Sequence, residues 1–295
     1  MSTSTSHEQT ARPPFGTRLA QAMDELGPLC VGIDPHRGLL HAWGLDDDAA
    51  GLREFSLRVV EALGGRVAAV KPQSAFFERH GSAGVAVLEE TLAALRASGT
   101  LSILDVKRGD IGSTMGGYAD AYLSERSPLA ADAVTVSPYL GFGSLGPALE
   151  RARDTGRGVF VLGLTSNPEG PSVQHARTAS GRSVAAGVVD GVAAANAAAR
   201  TAGALGSVGL VIGATVGLAV RDLDLDLEAS AAPLLAPGVG AQGAGAAELE
   251  QVFGSARRQV LASTSRGVLA AGPDADSLRR AAEAATAEAL AALRG

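Results

Sequence analysis

Residues 104–114 read Leu-Asp-Val-Lys-Arg-Gly-Asp-Ile-Gly-Ser-Thr. A mainly apolar run, 101–104, leads straight into Asp105, Lys107 and Asp110. Residues two apart on a strand project from one face, so Asp105 and Lys107 stand side by side, roughly 6.6 Å apart along the backbone. Asp110 comes after the strand has ended. Three charges of alternating sign where an apolar strand stops read as the floor of an active site; taken alone, they also fit a solvated salt-bridge ladder. Lys71, at the end of another apolar run, favours the first reading. At about 4 Å, each opposite pair is worth on the order of 4 kcal/mol at an effective dielectric of 20. A Lys-Asp-Lys-Asp set offers a fixed negative charge beside a positioned proton donor at neutral pH.

Eight short β-rich runs place these residues: 29–34, 68–71, 101–105, 133–137, 159–164, 209–213, 233–236 and 259–263. Amphipathic stretches lie between them. Leu52, Phe55, Val59, Val60 and Leu63 fall on one helical face, as do Val85, Leu88, Leu92 and Leu95, with Gly99 as a C-terminal cap. The segment 276–294 reads as a helix without a breaker. Strand–helix alternation implies parallel pairing with helices outside. Eight repeats in this length predict a closed (β/α)8 TIM barrel in a single domain, residues 15–295, behind a flexible tail at 1–14. An open doubly wound sheet is the rival, but the first strand ends in Asp34-Pro35 without a glycine-rich turn.

In such a barrel the C-terminal strand ends build the site. Those ends carry Asp34, Lys71, Asp105 with Lys107, Ser137, Thr165-Ser166-Asn167, Thr215, the stretch Pro237-Gly-Val-Gly-Ala-Gln242, and Ser265-Arg266. Pro237 to Gly240 expose backbone N–H groups, and Arg266 on the neighbouring strand forks onto phosphate oxygens, so the last two ends predict a phosphate site. Other residues have plainer readings. His36 is a surface-loop histidine, Asp46-Asp47-Asp48 complement a helix N-terminus, and Cys30 is a small core residue. No His/Cys cluster has metal-ligand spacing, and no serine has a nucleophile-elbow context. Two segments resist assignment: the long polar loop 167–182, which resembles a lid, and 223–228, which alternates like a strand where a helix is due.

Composition narrows the function classes. A net charge of −6 argues against a general nucleic-acid binder, while a local Lys/Arg cluster still admits a small anion. One cysteine allows no disulfide framework within the chain, and no apolar run reaches membrane-spanning length. With no apolar signal core near Met1, the expected location is cytoplasmic.

Taken together, these motifs resemble the orotidine 5′-phosphate decarboxylase family in its longer bacterial subgroup. The resemblance rests on Asp105-Val-Lys107-Arg-Gly-Asp110-Ile-Gly-Ser-Thr114, on Val31-Gly-Ile-Asp34-Pro, Val70-Lys71-Pro-Gln, Thr165-Ser-Asn-Pro, Pro237-Gly-Val-Gly-Ala-Gln242 and Arg266, all in family order. It implies decarboxylation of orotidine 5′-phosphate to uridine 5′-phosphate, the last step of pyrimidine (UMP) biosynthesis, with no cofactor and no metal. Asp34 and Lys71 would bind ribose hydroxyls. Asp105 would face the substrate carboxylate, and Lys107 would protonate C6. Ser166 would meet the pyrimidine edge, Gln242 would bridge base and phosphate, and Arg266 would clamp the phosphate beside Pro237 and Gly240. Asp110 and Thr114 would reach a partner subunit's site in a homodimer. No role is implied for Arg108. The alternative is a Mg²⁺-dependent sugar-phosphate decarboxylase or synthase of the same barrel suprafamily, which shares the Asp-x-Lys-x-x-Asp core.

Overall fold

A computed structural model describes residues 12–240 and 243–295 of the chain. Eight parallel strands close into a barrel in sequence order. They are β1 (Leu29–Ile33), β2 (Ala69–Pro72), β3 (Leu101–Arg108), β4 (Ala133–Val136), β5 (Gly158–Leu164), β6 (Val208–Ile212), β7 (Leu234–Pro237) and β8 (Val260–Thr264). β8 pairs with β1 through Leu29↔Ala262 and Cys30↔Ser263, which completes the ring. The predicted barrel and all eight predicted strands are therefore present, with ends shifted by a few residues at most.

The strands are apolar on both faces because each face meets a different core. Val31, Ile33, Val70, Leu104 and Val134 point outward and pack beneath the helices, in a layer that includes Leu52, Phe55, Val59 and Leu63 from the helix Ala49–Leu63. Cys30, Ala69, Leu101, Ile103, Ala133, Phe160, Leu235 and Leu261 point inward. The N-terminal helix α1 (Phe15–Leu26) plugs the lower end of the barrel, where Phe15, Leu19 and Met23 join the inward cluster. Phe15 meets Phe160 edge to face at 5.9 Å between ring centres. Below, Asp132 accepts bonds from Arg18 at 2.6 Å and from the Ser102 amide and hydroxyl at 3.0 Å each.

The inward phase of β3 runs through Leu101 and Ile103, so Asp105 is next in the same row. Between Leu104 and Arg108 the pairing with β4 slips: Leu104 faces Val134 and Arg108 faces Val136. Four steps along β3 answer two along β4. This double bulge carries β3 to Arg108, beyond the end expected at residue 105.

Several readings of individual segments change. The tract 46–48 divides its work: Asp48 caps the helix Ala49–Leu63 through the Gly51 amide at 2.8 Å, as expected, whereas Asp47 is the centre of an ion-pair cluster with Arg37 and Arg79. His36 caps the helix Arg37–Ala42, its Nδ1 accepting from the Leu39 amide at 3.3 Å. The segment 223–228 is neither strand nor helix; Leu223, Leu225 and Leu227 are buried while Asp224 turns left-handed at φ 55°. The loop 167–182 contains one short helix, Pro171–Gln174. Residues 1–11 of the expected tail lie outside the described residues, and Arg12 pairs with Glu125 at 3.0 Å.

Candidate active site

Lys71 from β2 and Asp105 and Lys107 from β3 meet at the upper mouth of the barrel. Lys71 Nζ lies 3.1 Å from Asp105 Oδ2, and Lys107 Nζ lies 2.6 Å from Asp105 Oδ1. Lys71 and Asp105 are 6% and 7% exposed, whereas the Lys107 side chain is about half open to the mouth. Burial alone would push the Asp105 carboxyl up; Lys71, Lys107 and the hydrogen bonds from Lys107 and Thr135 outweigh it and hold it below the usual range. Burial likewise presses Lys71 down, and Asp105, Asp34 and Cys30 together lift it above its ordinary value. The result is an anion fixed between two cations, one buried and one facing the cavity. Cys30 sits below, fully buried, with its thiol pushed up to about 12 by that burial.

Lys107 is left-handed, with φ 45°. For a residue with a Cβ this costs on the order of 1–3 kcal/mol and persists only where the surroundings impose it. Here Thr135 of β4, buried and inward-facing, imposes it: its Oγ1 accepts from the amides of Val106 at 3.1 Å and Lys107 at 3.0 Å and donates to Asp105 Oδ1 at 2.8 Å. The sequence reading passed over Thr135 and named Ser137 at this strand end. The signal was present, because Thr135 is in phase with inward Ala133 and falls in the layer of Asp105.

Asp34 follows β1 and is partly buried, and among the described residues its Oδ1 has no hydrogen-bond partner. A buried acceptor left open at a cavity mouth is suited to a ligand hydroxyl. Its loop is held from outside: Arg79 donates to the Pro35 carbonyl at 3.5 Å and pairs with Asp47, which also takes Arg37 at 2.8 Å. Arg108 gains a structural place. It pairs with Glu78 at 2.7 Å, lies 5.8 Å over the Tyr118 ring, and so ties the end of β3 to the helices Ser74–Glu78 and Gly112–Leu123.

Across the mouth, β7 leads into a turn in which Gly238 and Gly240 take φ 89° and 107°, values open to glycine. The turn closes by Ala244 N to Gly238 O at 2.8 Å and Gly243 N to Gly240 O at 2.7 Å. Pro237 is exposed at its start. Gln242 lies outside the described residues. Arg266 opens the short helix after β8; it is exposed and, among the described residues, makes no ion pair. Ser166 is exposed beyond β5, next to Thr165, whose amide and hydroxyl are bonded to Gln174 at 3.0 and 2.7 Å.

Asp110 stands apart from the lysines. Its Oδ1 accepts from the Ile111 amide at 2.8 Å, and it makes no ion pair among the described residues. Thr114 is exposed on the first turn of the helix Gly112–Leu123. Within one chain the charged floor is thus Lys71, Asp105 and Lys107, without Asp110.

The lowered carboxyl of Asp105 has a consequence for stability. Its ionised form is favoured by folding, so its contribution is present above the unfolded carboxyl range near pH 4 and is lost as pH falls through the lower folded value. Asp105→Asn leaves Lys71 buried without its partner and should destabilise the fold by about 3–5 kcal/mol at neutral pH. The gap between variant and parent should narrow as both are acidified, measured by urea unfolding from neutral pH to about pH 3. A gap independent of pH would contradict the ion-pair account.

Comparison with known proteins gives the lineage. Residues 27–281 match the family model described as "Orotidine 5'-phosphate decarboxylase / HUMPS family". An orotidine 5′-phosphate decarboxylase of Salinispora arenicola is 62% identical over 281 residues, covering 95% of this chain and 99% of the relative. That of Streptomyces coelicolor is 59% identical over 271 residues, covering 92% and 95%. The solved structure of Leishmania donovani OMP decarboxylase superposes with a TM-score of 0.73 at 31% identity, over 95% of this chain and 99% of that one. The chain belongs to the orotidine 5′-phosphate decarboxylase / HUMPS family.

Proposed function

We propose that this protein is a carboxy-lyase that converts orotidine 5′-phosphate to uridine 5′-phosphate and CO2, the closing step of UMP synthesis. The observation that carries the reading is the buried Lys71–Asp105–Lys107 array at the barrel mouth. The kinship with decarboxylases along nearly the whole chain agrees with it.

The chemistry requires breaking the bond from C6 to its carboxylate, with the electron pair left on C6. An enzyme typically lowers such a barrier by roughly 8–23 kcal/mol. Preorganised charge does this here. Asp105, held ionised, faces the substrate carboxylate and disfavours it relative to neutral CO2. Lys107 Nζ stabilises the charge growing on C6 and then gives it a proton, forming the new C6–H bond. Lys71 balances Asp105 from below, so the carboxylate is not quenched by protonation. Asp34, with its open acceptor, and Lys71 take ribose hydroxyls. Ser166 takes the pyrimidine edge. Pro237, Gly240, Gln242 and Arg266 form the phosphate end, remote from the chemistry, where binding energy helps hold the reactive ring against the charged floor. The Mg²⁺-dependent synthase reading finds less support: both oxygens of Asp105 are already engaged by ammonium groups and the Thr135 hydroxyl.

The same reading makes the protein a homodimer in which Asp110 and Thr114 enter the partner's site. Exposed apolar side chains favour this. Ile111 and Tyr139 are 62% and 79% exposed, and Leu140 is also open, on the loops that follow the adjacent strands β3 and β4. Such clustering marks an association surface. A cytoplasmic location belongs to the proposal too: Cys30 is a free, buried thiol, and no helix among the described residues is long and apolar enough to cross a membrane.

Three outcomes are expected. Lys107→Ala should abolish loss of orotidine 5′-phosphate in a spectrophotometric assay run with EDTA, while the folded protein still binds uridine 5′-phosphate; retained turnover would overturn the assignment. Arg266→Ala should weaken uridine 5′-phosphate by about tenfold or more and uridine hardly at all, because a charged hydrogen-bonded contact to phosphate is worth roughly 1.5–3 kcal/mol. Equal weakening of both would remove the phosphate role. Mixing inactive Lys107→Ala and Asp110→Ala chains should restore roughly a quarter of the sites, since each hybrid dimer contains one intact site. No recovery after verified subunit exchange would place Asp110 in its own subunit's site.

A further inference from the structure

We infer that Thr135 is a positioning residue for the reaction: its single hydroxyl locks the Asp105 carboxylate and the backbone of the proton donor Lys107 in one geometry. The inference rests on the decarboxylase reading for its kinetic consequences and on the fold alone for its geometry.

The bulge in β3 creates the need for this hydroxyl. Two extra residues on β3 between Leu104 and Arg108 remove the regular β4 partners of this stretch. The amides of Val106 and Lys107 would be left without strand acceptors at a stretch where Val106 is buried, which folded proteins avoid. Thr135, 1% exposed, answers both with one oxygen, at 3.1 and 3.0 Å. A hydroxyl has two lone pairs and one proton. Both lone pairs are taken by N–H donors, so the proton has one direction left, toward Asp105 Oδ1 at 2.8 Å. The hydroxyl is therefore a fixed donor, and the oxygen it meets must be an acceptor.

That polarity has two effects. It favours the ionised form of Asp105 against the cost of burial, in concert with Lys71 from β2 and Lys107 from β3, while Cys30 of β1 and Asp34 just after it act on Lys71. It also holds Lys107 in its left-handed conformation, φ 45°, from which its ammonium group reaches Asp105 Oδ1 at 2.6 Å. A side chain without a hydroxyl at residue 135 fills the same space and removes both effects. Serine keeps them.

The test compares Thr135→Val and Thr135→Ser with the parent in the full-length protein. Folding is checked by circular dichroism, kcat and KM are taken across pH, and the Asp105 carboxyl carbon is titrated by NMR, identified by its absence in Asp105→Asn. For valine we expect kcat to fall by roughly ten- to a hundredfold and KM to move by less than about threefold, matching the loss of a hydrogen bond to a charged group. The acid limb of kcat and the Asp105 titration should both move up by roughly one pH unit, because a bond to the charged form has been removed. Serine should restore kcat and titration to near parental values. If valine fails to fold, Thr135→Cys, a weaker donor and acceptor of similar size, replaces it with the same expected directions. A folded valine variant with parental kcat and parental Asp105 titration overturns the inference, as does a loss confined to thermal stability or a serine variant as impaired as valine. The titration needs no substrate. An inactive parent would therefore sink the decarboxylase reading, while the lock on Asp105 would still stand or fall by the NMR shift.

Discussion

One carboxylate is shared among two ammonium groups and a hydroxyl, and the upper half of the barrel is arranged around keeping it charged while buried. An ion moved out of water loses several kcal/mol of hydration even after relaxation. Asp105 recovers this through Lys71, Lys107 and Thr135, all within 3.1 Å. The arrangement is mutual, since Lys71 is as deeply buried as Asp105 and has the same need of a partner. Removing Asp105 leaves Lys71 buried without its partner, and removing Lys71 leaves the buried Asp105 carboxylate to Lys107 and Thr135 alone. This interdependence gives the site its stiffness, and stiffness lets fixed charge act on a reacting carbon without first reorganising.

The barrel serves this constraint by dividing labour between its ends. At the lower end, Phe15, Leu19 and Met23 of α1 close the interior with apolar bulk, and Arg18–Asp132 ties that helix to the strands. Water and competing polar groups are thereby kept from one side of the charged floor. At the upper end, the loops are braced from outside by ion pairs that never touch the cavity. Asp47 gathers Arg37 and Arg79 beneath the Asp34–Pro35 turn, and Arg108 reaches Glu78 across the mouth of β2 and β3. These partly exposed pairs contribute little to stability individually. Their value is geometric, because each fixes a strand end beside the charged array.

The two sides of the barrel mouth are built by opposite strategies. Over β2 and β3, two lysines share one aspartate in a tightly paired array. Over β7 and β8 stand a glycine turn and Arg266, which makes no ion pair among the described residues, groups of the kind that suit an anion.

How much of this was legible in the chain follows from the range of the interactions involved. Alternation of apolar strands and amphipathic helices is written in local periodicity, so the (β/α)8 ring and the presence of all eight strands could be read from it, as could the row Asp105–Lys107 and its partner Lys71. The glycines of the β7 turn and the arginine after β8 were legible for the same reason, since their chemistry is intrinsic to their types. Tertiary structure alone decided three things. The slip between β3 and β4 depends on pairing across strands roughly 30 residues apart, so neither the length of β3 nor the left-handed Lys107 could be read from the segment itself. Thr135 became a site residue only when that slip orphaned two amides beside its hydroxyl. Asp47 and Arg108 took their places because the loops converge, not because their neighbours in sequence require it. Local pattern names the groups that are able to act; closure of the ring determines which of them meet.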